Sequence, residues 1–405
     1  MSDFHQTGAI TTLHNLIRRP LEELEAEVAR FARIRPVTLT LPSLFSELEG
    51  DALPRIIDVL KDVPYISEIY IGLDKADREQ FEYAKSFFDR LPQHHRVIWN
   101  DGPRMAAIHE KLDAAGLAPT ERGKGFNVWY MMGYALAAQR GKVLALHDCD
   151  IITYDKGLLA RLIYPVVNPD FPYLFSKGYY SRVANNTLNG RVCRLLVTPF
   201  LEALEMTCGT HNYTRYLSAF RYPLSGEFAM RMEVVPDIRI PSDWGLEIGF
   251  LSELRRNTSQ RQICQVDIAD IYDHKHQDLS AEDASKGLSR MSTDIVKAIL
   301  RKLATEGLVI SRATLRSVKA AYYRNALDMI ESYHADAVFN GLTLDRHKEE
   351  QAVELFAANI MAAGEIYFDN PSATPFIPNW RRVYDAWPDV FRDMAAAVEA
   401  DNAGS

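Results

Sequence analysis

Cysteine is scarce in this chain. There are four in 405 residues (Cys149, Cys193, Cys208 and Cys264), and no two form a CxxC pair. That excludes a zinc ribbon and a disulfide framework, and it fits a reduced, cytoplasmic setting. Long hydrophobic runs are missing as well. The longest nearly apolar stretch, Val128–Ala138, has 11 residues, far short of the ~20 that span a bilayer, so no membrane partner is expected. The first ten residues lack a basic segment followed by an apolar core, and no signal peptide is expected. Positive charge is in deficit, with 46 Lys and Arg against 54 Asp and Glu and a net charge of −8. A nucleic-acid partner, which needs a basic footprint, is therefore not expected. Internal repeats, low-complexity tracts and the GxxxxGK[ST] phosphate loop are all absent. What remains is ordinary globular composition, 47% hydrophobic and 25% charged, in a chain long enough for two or three units with a sizeable core.

Three stretches differ in rhythm. Residues 1–36 read as a helical segment, with Leu13, Leu16 and Ile17, then Leu21, Leu24, Val28 and Phe31, at helical spacing before Pro36. From Val37 short β-rich runs alternate with helical patterns. The strands expected are Val37–Leu41, Ile69–Leu73, Arg96–Trp99 and Val143–His147. The helices expected are Leu53–Leu60, Asp77 to about Phe88, Arg104–Ala115 and Phe126–Ala138. That alternation predicts a mostly parallel sheet covered on both faces, with ligands beyond the strands' C-terminal ends. Residues 151–280 read as more irregular. From about Ala281 the pattern turns helical (Ile295, Ile299, Leu303, Leu308; Tyr322, Ala326, Met329, Ile330, Tyr333), and Pro371, Pro375 and Pro378 interrupt it before a last helix. The expected units are thus 1–36, an α/β catalytic domain over 37–280, and a helical extension over 281–405. That extension either packs on the catalytic domain or forms a homodimer interface.

Several segments carry chemistry. His147-Asp148-Cys149-Asp150 leaves an apolar strand with two carboxylates at i and i+2; hard oxygen ligands at such a turn suit Mg²⁺ or Mn²⁺, and turn-capping aspartates are the plainer alternative. Gly123-Lys124-Gly125 opens a helix, which combines a cation with an anion-seeking N-terminus; a solvated loop lysine is the alternative. Tyr272-Asp273-His274-Lys275-His276 offers an imidazole to complement a carboxylate on a metal. Gly190-Arg191-Val192-Cys193-Arg194, with Lys177 and Arg182 before it, concentrates cations in an acidic chain. Planar guanidinium forks suit carboxylate or phosphate, although surface ion pairs would use the same residues. Leu224-Ser225-Gly226-Glu227 and Asp243-Trp244-Gly245-Leu246-Glu247 each place a lone carboxylate in an apolar stretch, a functional position unless an arginine pairs with it.

In this order, from about Val37 to Met291, the segments resemble the glucosyl-3-phosphoglycerate synthases and their mannosyl-transferring relatives. Those are retaining, metal-dependent glycosyltransferases of the GT-A fold. The resemblance implies an α/β GT-A architecture, a Rossmann-like nucleotide-binding sheet with an acceptor subdomain, followed by the helical extension. The family's Pro-Ala-Leu-Asn-Glu-Glu segment looks like Pro42-Ser43-Leu44-Phe45-Ser46-Glu47, which lacks the Asn-Glu. The resemblance therefore assigns Pro42, Leu44, Glu47, Lys124, Asp148 and Glu227 to the nucleotide sugar. It assigns Asp150 and His274 to Mg²⁺ or Mn²⁺. Gly190, Arg191, Val192 and Cys193, with Lys177 and Arg182, go to the phosphoglycerate; here Cys193 replaces the family's Thr. Glu247, Leu224 and Asp150 fall at the reacting centre. The implied reaction moves glucose from UDP- or GDP-glucose to 3-phosphoglycerate. Transfer from GDP-mannose, nucleotidyl transfer, and nucleotide-sugar binding without transfer are the competing readings; nucleotidyl transfer lacks its Gly-rich loop in Leu41–Gly50.

Overall fold

The computed structural model describes residues 5–17, 19–274, 287–371 and 376–403. The central sheet runs, in spatial order, Thr11–Leu13, Ile263–Tyr272, Phe175–Ala184, Phe228–Arg231, Val143–Leu146, Val37–Leu44, Ile66–Asp74 and His94–Trp99. Neighbours are parallel except around Phe228–Arg231, which is antiparallel to both of its partners. Both faces of the inner strands are covered. Along Val37–Leu41 the apolar Val37, Leu39 and Leu41 are buried on one side and Thr38 and Thr40 on the other. The two threonines keep their hydroxyls bonded, to Glu68 at 2.7 Å and to the Ala145 carbonyl at 2.8 Å.

One face is covered by helices Leu21–Ala32, Ala52–Leu60, Arg78–Phe88 and Lys156–Val167. The other carries Pro103–Ala114, Lys124–Ala138, Thr198–Cys208 and Leu246–Asn257, and its core continues without a break into the C-terminal helices Gly287–Thr305, Arg312–Phe339, Arg346–Asp369, Trp380–Ala386 and Val390–Asn402. Trp380 stacks on Trp129 with ring centroids 4.0 Å apart, and Tyr322 donates to the Leu195 carbonyl at 2.7 Å. The helical third thus packs on the sheet-bearing part. Among the described residues no helix is long and apolar enough to cross a membrane.

The first four expected strands and the helices between them are present, with ends shifted by a few residues. The start of the chain differs. Leu13 lies in the strand Thr11–Leu13, Leu16 and Ile17 are 63% and 77% exposed, and the helix begins only at Leu21. The open edge of Ile263–Tyr272 recruits Thr11–Leu13 as a parallel neighbour, and pairing with a sheet outweighs a weak local periodicity. Residues 151–274 are also more regular than expected, holding four α-helices and three sheet strands of four residues or more. Pro375 and the stretch 275–286, which contains the expected unit boundary, lie outside the described residues.

Strand order reverses between Val37–Leu44 and Val143–Leu146. From the first, the chain steps outward through Ile66–Asp74 to His94–Trp99, then returns to the first strand's other side. The crevice at such a switch point is where open α/β sheets bind ligands, and Asp148 stands directly beyond it.

Candidate active site

A cavity of about 400 Å³ opens beyond the switch point. Lys124, Asp148, Arg182, Gly190, Arg191, Val192, Leu224, Glu247 and His274 all line it, although they come from segments scattered over 150 residues.

Its floor is a charge cluster. Lys124, the first residue of its helix, has its ammonium 2.7 Å from Asp148 and 3.5 Å from Glu247. Burial would lower the pKa of that ammonium, but the two carboxylates outweigh burial and raise it, so the cation persists. The contact depends on Gly226, because a Cβ there would collide with both Asp148 Oδ2 and Lys124 Nζ. Glu247 sits in the first turn of Leu246–Asn257, where the helix dipole favours a carboxylate.

Asp150 lies beside His274, with Oδ2 3.4 Å from Nδ1. Local pairing enforces this approach. Ile151 forms an antiparallel bridge with His274, and the Ile152 amide donates to the Asp273 carbonyl at 2.9 Å. Burial pushes the Asp150 carboxyl up, yet the hydrogen bond and charge of His274, with Lys124 behind, hold it below its ordinary value. Asp150 Oδ1 is buried without a hydrogen-bond partner, an arrangement suited to an incoming cation. Among the described residues no cluster of three or more His, Cys, Asp or Glu could hold a metal. This pair would therefore fill two coordination positions and leave the rest to phosphate oxygens and water.

The far wall is cationic. Gly190 turns the chain at φ 80°, a left-handed conformation natural to glycine, and Val192–Val197 follows as a π-helix. Arg191 lines the cavity while its Nε donates to Glu349 at 2.6 Å, and Arg182 donates to the Tyr222 hydroxyl at 3.2 Å.

Other expected residues sit behind the wall. Lys177 is buried beneath the floor, its ammonium donating to the Ser225 carbonyl at 2.6 Å, because the strand Phe175–Ala184 turns that side chain inward. Cys193 is buried in the π-helix, and burial pushes its thiol up to about 12. Neither lines the cavity where the acceptor was expected. Arg194 is committed to Glu349 and to the Asn189 carbonyl, at 2.9 and 2.8 Å. Glu227 is buried under the floor and accepts from the Tyr180 and Tyr272 hydroxyls at 2.7 and 2.6 Å, with the two rings stacked 3.6 Å apart. Burial and Asp148 raise its pKa despite those bonds. Pro42 and Leu44 end the strand Val37–Leu44, Glu47 lies in the short helix Phe45–Leu48 that follows, and none of the three lines the cavity. Lys275 and His276 lie outside the described residues.

Sequence reading missed Arg122, Tyr222 and Arg290, which line the cavity, and Glu349, which holds its arginine wall. Arg290 comes from the first C-terminal helix, so the helical third contributes to the cavity directly.

No protein-family model matches the chain. The mixed sheet, its switch-point cavity and the Asp148-Cys149-Asp150 turn fit the GT-A glycosyltransferase architecture that the resemblance implies, and the solved structures bear that architecture out. The fold is similar to that of Mycobacterium tuberculosis glucosyl-3-phosphoglycerate synthase in complex with Mn²⁺, UDP-glucose and phosphoglyceric acid (TM-score 0.53, 20% identity, 73% of this chain and 88% of that one). The complex of that enzyme with phosphoglyceric acid has a TM-score of 0.52 at 20% identity, covering 75% of this chain and 90% of the other. In sequence, the chain is 44% identical to the glucosyl-3-phosphoglycerate synthase of Persephonella marina over 402 residues, 99% of each chain. It is 39% identical to that of Methanococcoides burtonii, over 98% of each. The chain belongs to the glucosyl-3-phosphoglycerate synthase family.

Proposed function

We propose that this chain transfers glucose from UDP-glucose to the one free hydroxyl of 3-phosphoglycerate, with retention at the anomeric carbon and with Mg²⁺ or Mn²⁺ as cofactor. The observation that carries this reading is the Asp150–His274 pair, 3.4 Å apart, beside a cavity whose other wall holds Arg182 and Arg191. The Mycobacterium tuberculosis structures, which hold UDP-glucose and phosphoglyceric acid with Mn²⁺, support the choice of substrates.

Asp150 and His274 would hold the ion, which supplies Lewis acidity to the leaving diphosphate. Lys124 adds a permanent cation on the same side. Pro42, Leu44 and Glu47 would border the nucleotide. Arg191 and Arg182 grip the acceptor's two anionic groups, and holding the acceptor in place removes several kcal/mol of barrier. Glu247 accepts a hydrogen bond from the sugar or the acceptor hydroxyl and orients it, with Leu224 packing beside the reacting atoms. Neither glutamate is suited to act as a nucleophile, since Glu247 is paired with Lys124 and the buried Glu227 is capped by two tyrosines. Retention is then best served by attack on the face the diphosphate leaves, with the departing phosphate oxygen taking the acceptor proton.

We also propose a cytoplasmic setting and a homodimer; the exposed Val338 and Phe339 at a C-terminal helix end support the dimer. Incubation of the chain with Mn²⁺, 3-phosphoglycerate and UDP-glucose, GDP-glucose or GDP-mannose in turn, with NMR of the anomeric proton, tests the reading. An α-linked glucosyl product from UDP-glucose is expected. A β-linked product rejects retention, preference for GDP-mannose transfers the reading to the mannosyl relatives, and no product with any donor leaves a binding protein.

A further inference from the structure

A second cavity, of about 430 Å³, shares Asp243 with the catalytic one. Four cations reach its wall, Arg239, Arg256, Arg301 and Lys302, against the carboxylates Asp243 and Glu253. Most of these charges are already matched. Arg256 faces Glu253 at 3.6 Å, Lys302 faces Glu306 at 3.3 Å, and Asp243 is held by Lys297 at 3.4 Å and by the Gly245 amide at 2.9 Å.

Arg301 is different. It is only 8% exposed, its Nε has no hydrogen-bond partner, and among the described residues neither it nor Arg239 forms an ion pair. A guanidinium cannot shed its proton, and the carboxylates that act on it, Asp243 and Asp294, are both already held by Lys297, at 3.4 and 2.7 Å. The remaining wall is apolar, from Pro241, Ala298 and Phe376. The volume falls within the ~300–1,000 Å³ of small-molecule sites.

We propose that this cavity is a second binding site, separate from the catalytic one, for a small organic anion whose phosphate or carboxylate group is gripped by Arg301 and Arg239. Gly249, Ser252 and Glu253 put the helix Leu246–Asn257 in its wall, and that helix also carries Glu247 into the catalytic cavity. An occupant therefore touches the element that positions Glu247. The assignment does not depend on which sugar the enzyme transfers.

Inorganic phosphate and citrate, titrated separately onto the full chain in a calorimeter, test the site and distinguish phosphate from carboxylate. At least one should bind, and Arg301→Met and Arg239→Ala should each weaken that binding about tenfold or more. Arg191→Ala, on the catalytic wall, should leave it in place. The unliganded Arg301→Met protein should melt close to wild type, because Arg301 forms no ion pair and Asp243 and Asp294 keep Lys297. Should Arg301→Met fail to fold, the half-buried Arg239→Ala carries the test. Unchanged affinity in Arg239→Ala and Arg301→Met, loss confined to Arg191→Ala, or no binding of either anion to wild type overturns the proposal.

Discussion

Lys177 shows what a single buried charge does to this fold. It is 2% exposed, and burial pulls its ammonium down to about 8 although Glu247 and Glu227 pull the other way. In the unfolded chain a lysine titrates near ~10.4. Between those values the unfolded state binds more protons than the native one, so stability attributable to this residue rises with pH across that window. Below about 8 both states are protonated and the penalty is complete, on the order of 3 kcal/mol. Urea unfolding of wild type and Lys177→Met at a series of pH values should therefore show the wild type gaining on the variant from pH ~8 to ~10. A difference that stays flat would mean that Lys177 remains charged and matched throughout. Asp150 makes the opposite case, a carboxylate kept ionised by its neighbours. Losing even an outer-shell partner of a metal ligand typically costs about 10–100-fold, so Asp150→Ala, folded by circular dichroism, should lose about 100-fold or more in transfer at saturating Mn²⁺. Activity within about tenfold of wild type would remove Asp150 from the metal seat.

At the level of elements, the arginine wall is held by a helix from the other end of the chain. Glu349, on Arg346–Asp369 and 1% exposed, accepts from Arg191 at 2.6 Å and lies 2.9 Å from Arg194. Removing its charge leaves two guanidinium groups without a counter-ion and frees the loop that presents Arg191. Glu349→Gln is expected to raise the KM for phosphoglycerate about tenfold with the donor KM unchanged, and Arg191→Ala more steeply in the same direction. Equal rises for both substrates would mean general loosening of the fold. This contact also marks the limit of what the sequence discloses. The strands Val37–Leu44, Ile66–Asp74, His94–Trp99 and Val143–Leu146 were legible because short apolar runs alternate with amphipathic helices. Thr11–Leu13 was not, since three residues are too few to carry a period. Lys156–Val167 was hidden for another reason: Leu158, Leu159, Ala160, Leu162 and Ile163 are all fully buried, Pro165 sits inside the helix, and buried surface on nearly every side erases amphipathic contrast. In the site, Lys124, Asp148, Asp150, Glu247 and His274 stood out as local motifs at strand and helix ends. Glu349 and Arg290 lie in solvated-looking helical patterns, and nothing local connects Glu349 with an arginine 158 residues away.

For the whole molecule, the consequence is that the helical third and the sheet share one hydrophobic core. Trp380 is fully buried between the two, stacked on Trp129 and donating from Nε1 to the Trp129 carbonyl at 3.0 Å. Trp129 in turn donates to the Pro378 carbonyl at 2.8 Å. One partner of this exchange belongs to an element on which the site depends, because Trp129 lies in the helix that begins with Lys124. Replacing a buried tryptophan by alanine costs about 3–5 kcal/mol. If the core is continuous, that cost must be felt by the sheet-bearing part as much as by the C-terminal helices, rather than melting the helices alone. Trp380→Ala should lower the thermal midpoint while keeping one cooperative calorimetric transition with matching van't Hoff and calorimetric enthalpies. Two separate transitions, the first removing helical signal and leaving nucleotide-sugar binding intact, would show instead that the C-terminal helices fold as a dispensable unit.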